Sequence, residues 1–87
     1  MPWTVYILEC ADKTFYTGIT NDLERRIARH GTGQGARYTR GRGPFRLVYK
    51  EIHKTKSRAL RREAEIKSLK KGQKLKLVAA PDLKLSD

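Results

Sequence analysis

A β-prone run that passes directly into a basic helix constrains this chain most. Tyr16-Thr17-Gly18-Ile19-Thr20 has the β-branched and aromatic make-up of a strand, and Asn21 is a helix N-cap residue whose side chain can accept a backbone N–H. Glu24, three residues on, suits an approximate capping box, and Gly31 is a helix stop. Projected at about 100° per residue, Leu23 and Ile27 mark an apolar stripe with Arg26 and His30 at its edge, while Glu24, Arg25 and Arg29 point elsewhere. Two readings of Arg26 and His30 stand at this point. They belong to a solvated basic helix whose long side chains lie over the core, or they are a cation and an imidazole, one turn apart, that act on an anion above a sheet.

The run from Trp3 to Cys10 has the same β-prone character, and Ala11-Asp12-Lys13-Thr14 separates it from Phe15 to Thr20, so the first twenty residues read as a hairpin. Side chains alternate along a strand, so Tyr6 shares a face with Leu8 and Cys10, and Tyr16 with Gly18 and Thr20. An odd loop or a bulge puts the two tyrosines on one face, and a simple even loop does not; the sequence leaves this open. Gly18 inside a strand forgoes packing, which points to a bend or to a close approach by a ligand or another backbone.

Beyond the helix, residues 31–44 carry five glycines, three arginines and one tyrosine. This loop follows a helix and lacks a Lys-Ser/Thr ending, so neither a dinucleotide fingerprint nor a nucleotide-phosphate loop is present. Arg37, Arg40 and Arg42 suit phosphates and Tyr38 suits stacking on a base, the composition of a nucleic-acid track; a plain basic loop is the other reading. Phe45 to His53 alternates Phe45, Leu47 and Tyr49 against Arg46, Val48 and Lys50, which predicts a third, partly exposed strand. Thr55 or Ser57 then caps a second helix running to about Leu69. Gly72 breaks it, a short helical turn follows over Gln73 to Ala80, and Pro81 to Asp87 form a loose tail. The expected organisation is one domain over residues 1–80 and a tail over 81–87.

With 20 Lys and Arg against 9 Asp and Glu, the net charge of +11 predicts a polyanionic partner, nucleic acid ahead of a membrane surface. Cys10 is the one cysteine, so an intrachain disulfide is excluded and a reducing, cytoplasmic setting is expected. His30 and His53 are the two histidines, too few with one cysteine for a tetrahedral Cys/His zinc centre. No signal peptide or bilayer-spanning run opens the chain.

One carboxylate stands out. Ala59, Leu60, Ala64, Ile66 and Leu69 trace an apolar arc on the second helix, with Glu63 near its middle and Glu65 well outside. A carboxylate on the packing side of a helix needs a partner. Either it pairs with Arg26 or another base, or it anchors one hard divalent ion such as Mg²⁺, which keeps most of its waters and takes one or two carboxylates plus phosphate oxygens. The other acids form no cluster, which argues against a two-metal site.

Thr4-Val5-Tyr6, Tyr16-Thr17-Gly18, Arg26 and His30 on the following helix, and Glu63 within Ala59-Leu60-Arg61-Arg62-Glu63 together resemble the GIY-YIG nuclease domain, over roughly residues 2–79. The Gly-Ala-Arg-Tyr-Thr-Arg-Gly-Arg-Gly-Pro run further resembles the small stand-alone bacterial members. The resemblance implies an α+β fold, a three-stranded antiparallel sheet flanked by helices, and metal-dependent hydrolysis of a phosphodiester. It implies that Tyr6 and Tyr16 sit beside the attacking water, one of them as base with help from the other or from His30. Arg26 would steady the scissile phosphate, Glu63 would hold one Mg²⁺ or Mn²⁺, and Gly18 would leave room. A tyrosine base at an ordinary pKa of about 10 would need a nearby cation to lower that value.

Thr4 stands where the first motif usually has Gly, and Thr17 where the second has a β-branched aliphatic residue; neither change removes a reactive group. No appended DNA-binding domain is evident, so selectivity falls to the basic loop with Arg25, to structure in the nucleic acid, or to a partner. The expected function is an endonuclease acting on DNA rather than RNA, selective for branched, flapped or single-stranded forms. The alternatives are a non-catalytic nucleic-acid-binding module and an adaptor for a larger DNA-repair protein.

Overall fold

The computed structural model describes residues 2–31 and 43–79. The expected Arg37, Tyr38, Arg40 and Arg42 track and the expected tail lie outside the described residues. The elements run β1 (Trp3–Glu9), β2 (Phe15–Thr20), α1 (Leu23–Gly31), β3 (Arg46–His53), α2 (Lys56–Lys67) and α3 (Lys71–Val78). The fold is α+β: one antiparallel three-stranded sheet in the order β2-β1-β3, with three helices against it.

The β1–β2 turn resolves the orientation of the tyrosines. Cys10 N donates to Thr14 O at 2.8 Å and Lys13 N to Cys10 O at 2.9 Å, which leaves Ala11, Asp12 and Lys13 as a three-residue loop with Lys13 at φ 69°. That loop is odd, so Gly18 pairs with Tyr6 and Tyr16 with Leu8, and both tyrosines occupy one face of the sheet.

Alternation gives the sheet two dissimilar faces. On one, Val5, Ile7, Tyr49, Ala59 and Ile66 form a buried cluster, joined by Trp3, Phe15, Ile19, Val48, Leu77 and Val78, so α2 and α3 cover this side. On the other, Tyr6 and Leu8 are wholly buried, and His30 of α1 lies against Tyr6.

Several expectations shift. Asp22, not Asn21, caps α1: its Oδ1 accepts Arg25 N at 3.2 Å, while Thr20 Oγ1 accepts Asp22 N at 3.0 Å. The helix therefore starts one residue later, and Glu24 falls at the second helical position, outside a capping box. Thr55 caps α2 through Arg58 N at 3.2 Å. α2 ends at Lys67, with Ser68 Oγ turned back onto Glu65 O at 2.6 Å. Gly72 does not separate a long helix from a short turn; it lies in the first turn of α3, whose start is secured by Lys70 N donating to Gln73 Oε1 at 3.0 Å.

The period of β3 is broken as well. Ile7 pairs with Tyr49 but Leu8 with Leu47, so Val48 is an extra residue in a bulge. Val48 therefore packs on the core beside Tyr49, and Leu47 is 38 % exposed. On α2 the packing line runs through Ala59 and Ile66, with Arg62 and Glu63 half-buried between them, and the expected arc is narrower because Leu60 and Ala64 are exposed.

Candidate active site

Tyr6 is at the centre of the site. Its ring lies across Gly18 on the neighbouring strand, where a Cβ would stand 2.7 Å from Tyr6 Oη, 2.8 Å from Cζ and 3.0 Å from Tyr16 Cε2. The close approach at Gly18 is thus made by two phenol rings rather than by the ligand or second backbone expected from the sequence, and glycine is the residue that admits both. Arg26 Nε donates to Tyr6 Oη at 3.4 Å, and Tyr6 Oη lies 3.0 Å from His30 Nε2.

A guanidinium only donates, so Tyr6 Oη accepts from Arg26 and keeps its own proton available for the His30 contact. When the phenol donates to His30, the lone pair is on Nε2 and the ring proton on Nδ1, the neutral imidazole. Burial, and then the charge of Arg26, hold the His30 pKa below its usual value, in agreement with that state. His30 is 1 % exposed, so it sits inside the layer rather than at its edge. Its ring meets Tyr6, Tyr16 and Phe45 edge-on, with centroids at 6.0, 5.1 and 5.9 Å. Aromatic edges and faces at such spacings lock the ring's orientation.

The expectation that a cation lowers the phenol's pKa is reversed at Tyr6. Burial dominates and pushes it up to about 12, although the hydrogen bond and charge of Arg26 act in the opposite direction. Arg26 itself is raised, chiefly by its bond to Tyr6. At neutral pH the cluster therefore holds a protonated phenol, a cationic guanidinium and a neutral imidazole.

Beside this cluster opens a cleft of about 370 Å³ lined by Thr20, Asn21, Asp22, Arg25, Arg26 and Arg29. Arg25, expected from the sequence to contact nucleic acid, is one of the residues lining it. Projection along the helix turned Arg25 and Arg29 away from Arg26, yet all three line this one cleft, because their long side chains converge on it from neighbouring positions.

Glu63 reaches the site from α2 by its field: its charge is among those that raise Tyr6. The carboxylate is 18 % exposed and pairs with Lys67 Nζ at 3.3 Å, one turn along the helix. Of the two sequence readings, an ion pair is thus present, with Lys67 rather than Arg26. No group of three or more His, Cys, Asp and Glu side chains converges among the described residues. That donor set suits a hard ion held by one carboxylate, water and substrate phosphate, and it does not suit a cage of protein ligands.

The opposite face carries a network the sequence reading missed. Glu51 Oε1 accepts Arg62 Nε at 2.8 Å and lies 2.7 Å from His53 Nε2, and Tyr49 Oη donates to Oε2. Burial alone would raise the Glu51 pKa, but these hydrogen bonds and the Arg62 charge lower it overall. The available signal was Tyr49-x-Glu51-x-His53, three polar-tipped residues at the strand period on one face.

A family model described as the GIY-YIG catalytic domain matches residues 2–76, nearly all of the chain. The chain belongs to the GIY-YIG family. Thr4-Val5-Tyr6 and Tyr16-Thr17-Gly18, the stretches that resemble its two motifs, lie side by side on β1 and β2. UPF0213 proteins are its relatives: that of Natronomonas pharaonis is 56 % identical over 75 residues, covering 86 % of this chain and 88 % of its own. The Clostridium perfringens protein is 52 % identical over 80 residues, covering 92 % and 86 %. The solution NMR structure of the UPF0213 protein of Bacillus halodurans aligns with a TM-score of 0.60 at 52 % identity, covering 91 % of this chain and 84 % of that one. A second NMR structure, of an E. faecalis protein, gives 0.61 at 38 % identity, covering 85 % and 79 %. GIY-YIG membership makes this a chain of a nuclease family. None of its described helices is long and apolar enough to cross a membrane.

Proposed function

We propose that this GIY-YIG chain is an endonuclease that hydrolyses phosphodiester bonds in DNA with a divalent ion, Mg²⁺ or Mn²⁺, and selects branched, flapped or single-stranded forms by structure. The observation that carries the reading is the Tyr6 hydroxyl, held between the Arg26 guanidinium, which only donates, and the His30 imidazole 3.0 Å away.

With a pKa of about 12, Tyr6 is not a phenolate at neutral pH, so the group that finally takes a proton is His30. Tyr6 passes its proton to His30 Nε2 as it takes one from the attacking water, and the hydroxyl is restored in the same step. Tyr6 is closed to bulk solvent, so that water arrives with the substrate. Tyr16, half-buried beside it, flanks the path. Arg26 gives one N–H to Tyr6 and, with five donors in all, has others for the scissile phosphate, while Arg25 and Arg29 hold the backbone on either side. Glu63 would hold the metal ion, which supplies charge neutralisation at the phosphate oxygens.

The test is cleavage of a labelled panel of single-stranded, duplex, flap and four-way-junction DNA with Mg²⁺, Mn²⁺ or EDTA. Metal-dependent cutting by the wild type, lost in Glu63→Ala and in Arg26→Ala while both variants stay folded, is the expected result. The Glu63–Lys67 pair favours one second reading, a binding module that keeps the scaffold without the chemistry. It predicts that wild type and Glu63→Ala bind DNA equally and that neither cuts.

A further inference from the structure

The segment from Ile52 to Arg62 contains Lys54, Lys56, Arg58, Arg61, Arg62 and His53, and not one acid. The fold gathers its end into a cleft of about 280 Å³ lined by His53, Arg58, Arg61, Arg62 and Glu65. This cleft lies on the α2 side of the sheet, whereas Tyr6, Arg26 and His30 lie on the α1 side.

Two of the lining groups are fixed in advance. Glu51, 18 % exposed, holds Arg62 Nε and His53 Nε2 from beneath, so neither has to give up much rotamer freedom on meeting a ligand. Arg58 and Arg61 are exposed and have no acidic partner among the described residues. Arg58 stands four residues from Arg62 and three from Arg61, so like charges share one helical side, an arrangement that destabilises a helix. The first turn of α2 holds no acid either and carries Lys56 and Arg58 against the helix dipole. An anion relieves all of these repulsions together. No apolar side chain lines the cleft, so it lacks the anchor that a protein partner would use.

We infer that the His53, Arg58, Arg61 and Arg62 cleft binds the phosphate backbone of a second segment of the nucleic acid, while the first lies against α1. This rests on the proposed function for the nature of the ligand, and it deepens it. A protein that holds two backbone segments on opposite faces of one sheet prefers substrates in which two segments diverge.

The test is binding without metal, read by fluorescence anisotropy across a salt series, for a labelled four-way junction and a short duplex. The variant is R58A/R61A, which keeps Arg62 and its bond to Glu51; its melting temperature checks the fold. Each phosphate that the variant no longer neutralises makes the slope of log K against log salt shallower by about 0.9, so the junction slope is expected to fall by roughly 2 and the duplex slope to stay unchanged. An unchanged junction slope overturns the site, and equal falls on both DNAs overturn the second segment. If the variant instead loses affinity only for a polyglutamate peptide, the cleft belongs to an acidic protein partner. Because EDTA is present throughout, a wild type that never cuts leaves this test intact, and a wild type that cuts while R58A/R61A keeps its full slope overturns the cleft alone.

Discussion

The proton inventory of the Tyr6 cluster makes a pH prediction. His30 must be neutral to accept from Tyr6, and its pKa is held below the usual 6.5 by burial and Arg26. The acid limb of kcat/KM for cleavage is therefore expected below pH 6.5, and Tyr6 contributes no alkaline limb until about pH 12. A pH–rate profile whose acid limb lies above 6.5 would remove His30 from the role of proton acceptor. Gly18 makes a prediction of a different kind. In Gly18→Ala the new methyl group stands 2.7 Å from Tyr6 Oη, so the phenol has to leave His30 and Arg26. Overpacking of this sort destabilises by about 1–3 kcal/mol, or roughly 4–8 °C per kcal/mol in a domain of this size. Thermal melting and cleavage should fall together.

At the scale of elements, the strands of the hairpin were legible because β-branched and aromatic residues crowd them, and the helix after β2 was legible from its stripe, although its cap lies one residue later than the sequence suggested. The shared face of the two tyrosines was not, because the odd loop depends on Lys13 taking a left-handed conformation that no glycine announces. The bulge at Val48 was equally silent: a valine on either side of a strand leaves the same hydrophobic trace. Arg26 and His30 were legible as a pair one turn apart, but not the depth of His30, which depends on three aromatic rings from β1, β2 and Phe45. The position of the cap is testable. Asp22→Ala should destabilise by about 1 kcal/mol, and Asn21→Ala, at an exposed site, by less than about 0.5 kcal/mol; equal effects in denaturant titrations would return the cap to Asn21. Glu51, which joins β3 to α2, predicts a pH dependence. Its folded pKa is depressed from 4.5, so its contribution is full above that value and is lost as pH falls through the folded pKa. Glu51→Gln should be less stable than wild type at neutral pH by about 1–3 kcal/mol. The gap should narrow in melts taken below pH 4.5.

The whole molecule has few ways to offset such losses. It is small, its principal core lies on one face of a three-stranded sheet, and the other face contains a histidine, two phenols and an arginine. Its net charge of +11 adds self-repulsion that salt or a bound polyanion screens. Against that stands Lys13, exposed and at φ 69°, where a side chain strains the backbone by about 1–2 kcal/mol. Lys13→Gly relieves the strain, less the greater freedom glycine has when unfolded, and the melting temperature should rise by a few degrees. That substitution removes none of the reactive groups, so it works as a suppressor. Added to Gly18→Ala, it should restore the melt without restoring cleavage, and so divide what the glycine does for the fold from what it does for the chemistry.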